Sequence, residues 1–501
     1  MDTRFGRRAR APRLTPLASC LGLALTVGTG LFHSASVEAT PSFRQPHADR
    51  PDADVPLALR FPAGDPRKAI VDRVLNRVPP NRPAGALPVT NCNDAGAGSL
   101  RDAVDNAVSG DTIDMTAIGC STITLTTGSI ISGVDDLTLL GPGLAALTID
   151  GGNTQPVLVH IGAGTFDVEG LTAINGYKYN DGTNNVPGAC IYSQGTLLMN
   201  DAGAKYCNAV AGGTGSALGG AVYGRVGVTL LNSIVSGSEA HSVAGQAFGG
   251  GVYTPGSLLA KYSTIRSNTA SSSTIGLYGF GGAAWVLGDA SVLSSTVNAN
   301  YAGVVAGLDL IGFYATGALQ IGNATITDNF SYHSYYGSGV YVGSPATISN
   351  STITGNTEQN PLNGKYGAGL NIRSATNVEL QSTILSGNLL FDGTDNYPSD
   401  IGGPADATIS GANNMIGWYS PLAAPPDTIV SFDPQLGSLS LLNGGPTATM
   451  LPLSTSLAIN AGNNVNNGKY DQRGPGYPRV VGANADIGAV ESDVIFANGF
   501  D

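Results

Sequence analysis

The chain has 501 residues, more than one compact core usually holds, so several domains or a repeat architecture is expected. With 70 glycines, only 12% charged residues and much Ser, Thr, Asn and Ala, it argues against long helices, while its recurring apolar residues argue against disorder. Acidic residues outnumber basic ones by 36 to 24, which disfavours nucleic acid and anionic lipid as partners.

Arg4, Arg7, Arg8, Arg10 and Arg13 precede an apolar run from Leu17 to about Leu31, and Val37-Glu38-Ala39 offers a small-residue cleavage site. Residues 1–39 therefore read as a secretory signal peptide, with no transmembrane span expected in the mature chain. Cys20 in "LASC" comes too early for lipid attachment, and the residues after Arg7-Arg8 fit twin-arginine export poorly. Removing residues 1–39 leaves 19 basic against 34 acidic side chains (24 − 5 and 36 − 2), so an acidic polysaccharide would have to find a local basic patch. Four cysteines remain. An even number in an oxidising compartment predicts two disulfides, and proximity favours Cys92–Cys120 and Cys190–Cys207 among three pairings. Zinc is the alternative, but CxxC spacing and nearby histidines are missing, so no metal site or cofactor is expected.

Residues 40–88 are rich in Pro, Arg, Asp and Ala and read as a flexible spacer, with one short helix conceivable in "RKAIVDRVLNRV" (67–78). In "GSLRDAVDNAVSGDTI", Ser99 and Asp102 resemble a capping box, Leu100, Val104 and Val108 share a helical face, and Gly110 is the expected stop. Such a helix would cover the open first edge of a sheet stack. Short strands follow at 122–125, 137–141 and 147–151.

A repeat then sets in. Units such as "YSTIRSN" (262–268) and "NSTITGN" (350–356), aligned on Ile234, Ile265, Val297, Ile326, Ile353 and Ile384, recur at intervals of 31, 32, 29, 27 and 31 residues. Glycine-led strands such as "GGAVYG" (219–224) and "GSGVYV" (337–342) mostly sit 12 to 14 residues ahead of them. Two visible strands per period and room for a third predict an all-β, right-handed parallel β-helix of about ten coils spaced about 4.8 Å apart.

Asn268, Asn300, Asn329 and Asn356 each lie three residues past the aligned apolar position, as a stacked amide ladder would require. Gly237 and Gly387 take that position in the flanking units, consistent with a bend of positive φ. Asn323 and Asn350 begin glycosylation sequons, which simple Asn/Ser/Thr richness also produces. Tyr192, Tyr223, Tyr253, Trp285 and Tyr341 form a second column, interrupted at Asn371 and near Gln320. This column either faces outward and stacks on sugar rings, or packs on itself beneath glycine-rich loops.

Catalytic signals are sparse, and no catalytic residue is assigned. His33 and His47 fall in the leader and spacer, while His160, His241 and His333 are far apart. No GxSxG motif is present. Lys205, Arg225, Lys261, Arg266, Lys365 and Arg373 do not accompany paired acids, and Asp135-Asp136 and "FDGTD" (391–395) read as turns.

The stretch from "TNCNDAGAGSLRDAVDNAVSGDTI" to "LTIDGGN" resembles the N-terminal region of bacterial right-handed parallel β-helix proteins related to the polymorphic outer-membrane and CSLREA-type families, with Gly98 where the eponymous cysteine would stand. "NGGPTATMLPLSTSLAINAGNN" (443–464), "DQRG" (471–474) and "ADIGAVE" (485–491) resemble a choice-of-anchor Q domain. The resemblance covers roughly residues 88–491, and "IFANGFD" (495–501) is similar to short tails on some exported proteins of Gram-negative bacteria. It implies a β-helix over 89–402, an anchor-like segment over 403–491 and a sorting tail over 492–501. The expected protein is an exported, surface-associated or secreted monomer that binds a polysaccharide or cell-surface ligand. The alternative is a polysaccharide lyase or glycoside hydrolase on the same scaffold.

Overall fold

A computed structural model of the chain describes residues 84–492 apart from 275–277, 311–316, 333–335, 360–366, 374 and 466. The expected leader, most of the spacer, the tail from residue 493, His333 and Lys365 lie outside the described residues.

The strands stack in parallel into a β-helix. Each coil passes through sheet A (first strand Ala86–Pro88, last Thr408–Ala412) and sheet B (Thr122–Thr124 to Ile429–Val430), twelve strands each. It returns through the ten-stranded sheet C (Ile130–Ser132 to Ile401–Gly402). From Tyr177–Asn180 onward a nine-stranded sheet D lies between B and C, closed by the antiparallel strand Asn396–Pro398. Four coils add a two-residue strand ahead of C, from Val186–Pro187 to Gly279–Phe280, making sheet E. Alternation along the strands sends Val168, Met199 and Leu230 of A, Ala204, Val235 and Ile265 of B, and Ile191 and Val222 of C into one continuous core. Each such Val, Leu or Ile contributes about 1.5–3 kcal/mol by leaving water.

Two corners explain the repeat. At the A–B corner a column of left-handed residues runs through Asp201, Asn232, Tyr262, Ser294, Asn323, Asn350, Ser382 and Asn413. The following residue is a buried serine in several coils, and its hydroxyl accepts the backbone N–H of the coil before: Ser233 N–H to Ser263 Oγ at 3.1 Å, Ser263 N–H to Ser295 Oγ at 3.0 Å. At the B–D corner the left-handed column is Asn175, Tyr206, Gly237, Ser267, Ala299, Asp328, Gly355 and Gly387. The next residue carries the amide ladder. Asn268 Nδ2 donates to Asn300 Oδ1 at 3.1 Å, Asn300 to Asn329 at 2.9 Å, Asn329 to Asn356 at 2.8 Å and Asn356 to Asn388 at 2.9 Å.

Two details of the sequence alignment are corrected by this register. Ile234 pairs with Thr264, and Thr352 pairs with Ile384, so Val235 and Leu385 occupy the core column of Ile265 and Ile353. Ser238 and Asn388, not Gly237 and Gly387, are therefore the ladder members; the glycines belong to the left-handed column one residue earlier. The ladder ends on Asp400 Oδ1, which accepts from both Asn388 N–H and Nδ2 at 2.8 Å.

The N-terminal end is closed by helix α1 (Leu100–Asp105), which buries Leu100 and Val104 against the first strand of sheet C. Ser99 caps it, accepting from Asp102 N–H. The helix stops at Asn106, earlier than Gly110, because Asp111 Oδ2 takes the N–H of Val108 into a turn. Arg101 reaches back to the carbonyls of Gly128 and Ser129 and to Asp94, 2.6 Å each. Both disulfides form as Cys92–Cys120 and Cys190–Cys207. The second is wholly buried, and Cys207 sits in the ladder column, where its sulfur meets Gly176 N–H at 3.0 Å.

Strand stacking continues past residue 402, to Thr408–Ala412, Met415–Ile416 and Ile429–Val430. The remaining segment turns back and lies on the outer face of sheet B. The outward threonines of the repeat hold it: Thr296 Oγ1 donates to Ala448 O, Thr325 Oγ1 to Gln472 Oε1, and Thr352 Oγ1 accepts from Ala489 N–H. Asn323 and Asn350 donate to Tyr470 O and Asn463 O, so their amides serve this docking in the structure. Within the segment, the buried pairs Arg473–Asp471 (2.7 Å) and Arg479–Glu491 (2.6 Å) use three charged residues of "DQRG" and "ADIGAVE", and the fourth, Asp486, accepts from the backbone N–H groups of Asn460 and Ser492.

Candidate functional site

The aromatic column does point out of sheet C, but it is not available to a ligand. Tyr192, Tyr223, Tyr253, Trp285 and Tyr341 are only 1–5% exposed. Tyr192 stacks on Tyr223 at 5.1 Å and Tyr223 on Tyr253 at 5.5 Å, while Phe248 and Phe280 of sheet E close edge-on over Trp285. The sugar-stacking alternative for these five rings is thereby corrected: sheet E accompanies the four coils from Tyr192 to Trp285, and Tyr341 packs edge-on against Tyr336. The next position in the column is Asp309, which pairs in register with Trp285 and Tyr341. Its carboxyl is buried, burial drives its pKa well above the ordinary range, and its Oδ1 has no hydrogen-bond partner.

The histidines stay apart. His160 is buried on sheet C; its Nε2 faces the carbonyls of Val134 and Asp135, so it carries the proton there, and Nδ1 accepts from Ser193 Oγ at 2.9 Å. Burial lowers its pKa and keeps the ring neutral. With His160 and Ser193 both fully enclosed, this pair holds a turn. Asp135, Asp136 and Asp392 accept backbone N–H groups of nearby loops, as turn residues do.

The accessible polar and aromatic groups gather instead on the outer face of sheet D and its corner with sheet B, a surface that a search for strand motifs passes over. Register builds two columns there. One reads Tyr177, Asn208, Glu239, Thr269, Tyr301, Phe330, Thr357; the other includes Tyr179, Val210, His241 and Ser271. Tyr179, Tyr301 and Tyr332 are exposed, and Tyr301 stacks on Phe330 at 5.7 Å. Beside them Ser271 Oγ donates to Glu239 Oε1 at 2.7 Å, His241 Nδ1 lies 2.7 Å from Ser271 Oγ, and Ser273 Oγ lies 3.1 Å from His241 Nε2. Because the Ser271 proton goes to the carboxylate, His241 Nδ1–H is the donor to Ser271. That polarity is the reverse of an activated nucleophile, so the group is a hydrogen-bonding array and not a triad.

At the corner, Tyr206 is 58% exposed despite a left-handed φ of 58°. Its ring lies along Gly237, where a β-carbon would stand 2.7 Å from Cδ1. On the adjoining outer face of sheet B, Lys205, Ser236 and Arg266 occupy one column. Among the described residues no group of three or more His, Cys, Asp or Glu is placed to hold a metal ion, and no helix is long and apolar enough to cross a membrane.

No protein-family model matches the chain, and no curated protein matches it either. Among solved structures, the crystal structure of pectate lyase Pel9A is similar, with 16% sequence identity over 82% of this chain and 96% of that chain and a TM-score of 0.44.

Proposed function

We propose that the protein is an exported, surface-associated or secreted carbohydrate-binding β-helix whose ligand lies on the outer face of sheet D and the neighbouring B–D corner. The observation that carries this is the set of exposed rings Tyr179, Tyr206, Tyr301 and Tyr332 around the Glu239–His241–Ser271–Ser273 array. Aromatic rings offer sugar C–H faces an apolar platform, and the array offers donors and acceptors to hydroxyls. Successive coils are about 4.8 Å apart, close to the advance of one pyranose along an extended glycan, so a rigid stack can present equivalent positions to consecutive sugars. Two disulfides support an oxidising, extracytoplasmic location. Attachment to the cell through the C-terminal region is part of the same proposal.

The test is retention on a polysaccharide panel with the wild type and a Tyr301→Ala/Tyr332→Ala variant. Retention by the wild type that is lost in the variant supports the proposal; an identical profile for both proteins overturns it. A second reading, hydrolysis, is favoured by one observation: Asp167 and Glu169 share the outer face of a sheet A strand, and burial together with Glu169 raises Asp167 to about 6. Reducing-end release without an unsaturated non-reducing end, disappearing in Asp167→Asn, would establish that reading instead.

A further inference from the structure

The outer face of sheet B is roofed at both ends of a short window. On one side Leu144 reaches Thr172, whose hydroxyl donates to Leu144 O at 2.8 Å, and Gly203, whose β-carbon would stand 3.2 Å from Leu144 Cδ1. On the other, the C-terminal segment arrives with Gly474 over Tyr262 and Ala448 on Thr296. Three strands lie between: Gly203–Lys205, Ile234–Ser236 and Thr264–Arg266.

In this window Lys205 and Arg266 flank Ser236 in register, one coil away on either side. Their α-carbons are thus about 10 Å apart by strand spacing, and both side chains are long enough to converge over the serine. Among the described residues neither forms an ion pair, although the chain as a whole is acidic. Burial, and then the charge of Arg266, lower the pKa of Lys205, so the two cations sense each other without an intervening carboxylate.

Tyr206 borders the same spot, since Ser236 is followed directly by the Gly237 on which its ring rests. Every other member of its left-handed column is Asn, Gly, Ser, Ala or Asp. A bulky aromatic at φ 58° with most of its surface in water is unfavourable for folding alone, and strained residues of this kind concentrate at functional sites.

We propose that Lys205, Ser236, Arg266 and Tyr206 form a subsite for one acidic sugar of the bound glycan, its ring against Tyr206 and its carboxylate or sulfate over Ser236 between the two cations. This rests on the carbohydrate-binding proposal above and adds a ligand class to it: an anionic polysaccharide, despite the net negative charge of the protein. Charge-assisted contacts from two sides give the anion its preference over a neutral hydroxymethyl group, and the preference weakens as salt screens it.

The experiment is calorimetric titration of the full chain with a hyaluronan hexasaccharide (carboxylate), sulfated cellohexaose (sulfate) and cellohexaose (neutral). The comparison proteins are Lys205→Met/Arg266→Met and Tyr206→Gly. The wild type is expected to bind at least one acidic probe about tenfold tighter than the neutral one, and the better acidic probe identifies the anion. The double variant should lose that margin while keeping its cellohexaose affinity. Tyr206→Gly should keep or raise thermal stability, since glycine suits this φ, yet bind the acidic probe more weakly. Equal binding of acidic and neutral probes, or an acidic preference that survives in the double variant, overturns the subsite and leaves the sheet D proposal standing. Failure to bind any of the three probes overturns the subsite, and the polysaccharide panel then decides the broader proposal separately.

Discussion

Replacing Asn356 by leucine tests the ladder most directly. Asn356 is fully buried. Its Oδ1 accepts from Asn329 N–H at 3.2 Å and Asn329 Nδ2 at 2.8 Å, and its Nδ2 donates to Ile326 O at 3.0 Å and to Asn388 Oδ1 at 2.9 Å. Leucine has the same branched skeleton of side-chain heavy atoms but leaves both Asn329 donors and Ile326 O without these partners, whereas Asn388 Oδ1 keeps the backbone N–H of residue 356 at 3.1 Å. At about 1–3 kcal/mol for each of the three orphaned buried groups, the variant should lose about 3–9 kcal/mol. Serine offers the comparison, because Ser238 in the same column accepts Cys207 N–H through its hydroxyl at 3.1 Å. Asn356→Ser should therefore cost about half as much. Urea unfolding gives the two differences. Hydrogen exchange should place the loss in neighbouring coils, across residues 323–391, and leave 165–211 protected, since solenoid coils are coupled chiefly to their neighbours. A leucine variant within about 1 kcal/mol of the wild type would refute the ladder's energetic role. So would weakened sugar retention in a variant whose coils remain protected.

Tyr223→Ala should destabilise by about 3–5 kcal/mol in the same denaturation assay without changing polysaccharide retention, because the ring is buried between Tyr192 and Tyr253. Burial opposes the charge on Asp94, but hydrogen bonds from Arg101, Thr127 and Thr126 outweigh it and hold the carboxyl at about 2. A depressed acid pKa stabilises the fold above its ordinary value of about 3.9, and the contribution is lost as pH falls from there through 2. Arg101→Met should accordingly flatten the loss of urea midpoint between pH 5 and pH 2. Gln472→Ala removes the acceptor of Thr325 and the Nε2 donor to Thr296 and Thr447, so limited proteolysis should cut within 431–492 sooner while the sheets stay intact. Under native conditions a thiol reductant should open the partly exposed Cys92–Cys120 bridge first and reach the wholly buried Cys190–Cys207 bridge only on unfolding, which mass-spectrometric thiol labelling can follow.

Much of this architecture was legible in the chain because each repeat position has one physical task. In "NSTITGN" the first Asn takes left-handed geometry, Ser351 bonds the neighbouring coil, Thr352 receives the C-terminal segment, Ile353 fills the core and Asn356 joins the ladder. The alignment slipped at Ile234 and Ile384 because Ser, Thr and Ile can each stand one place off and still look like the motif; only strand register separates them. The aromatic column was visible, but its cover was not, since sheet E consists of two-residue strands too short to show any period. Lys205 and Arg266 are 61 residues apart in the chain (266 − 205), and nothing local links them until two coil lengths are counted. His241 is joined to Ser271 in the same way, by one coil length that only the register reveals.

The amide ladder also has a direction. From Asn268 to Asn388 every side chain donates to the next side chain in the C-terminal direction and accepts from the N-terminal side, its second amide proton going to a core carbonyl of the coil before, so the links between side chains run head to tail. The positive end of that series meets the Asp400 carboxylate, much as an acidic residue meets the start of an α-helix. Burial still raises Asp400 to about 6. A polarised series with one terminator can be lengthened within itself, since an added coil needs only its own Asn facing the same way. The C-terminal segment sets the opposite constraint: bonded to Thr296, Thr325 and Thr352 of successive coils, it is a ruler matched to the coils beneath it.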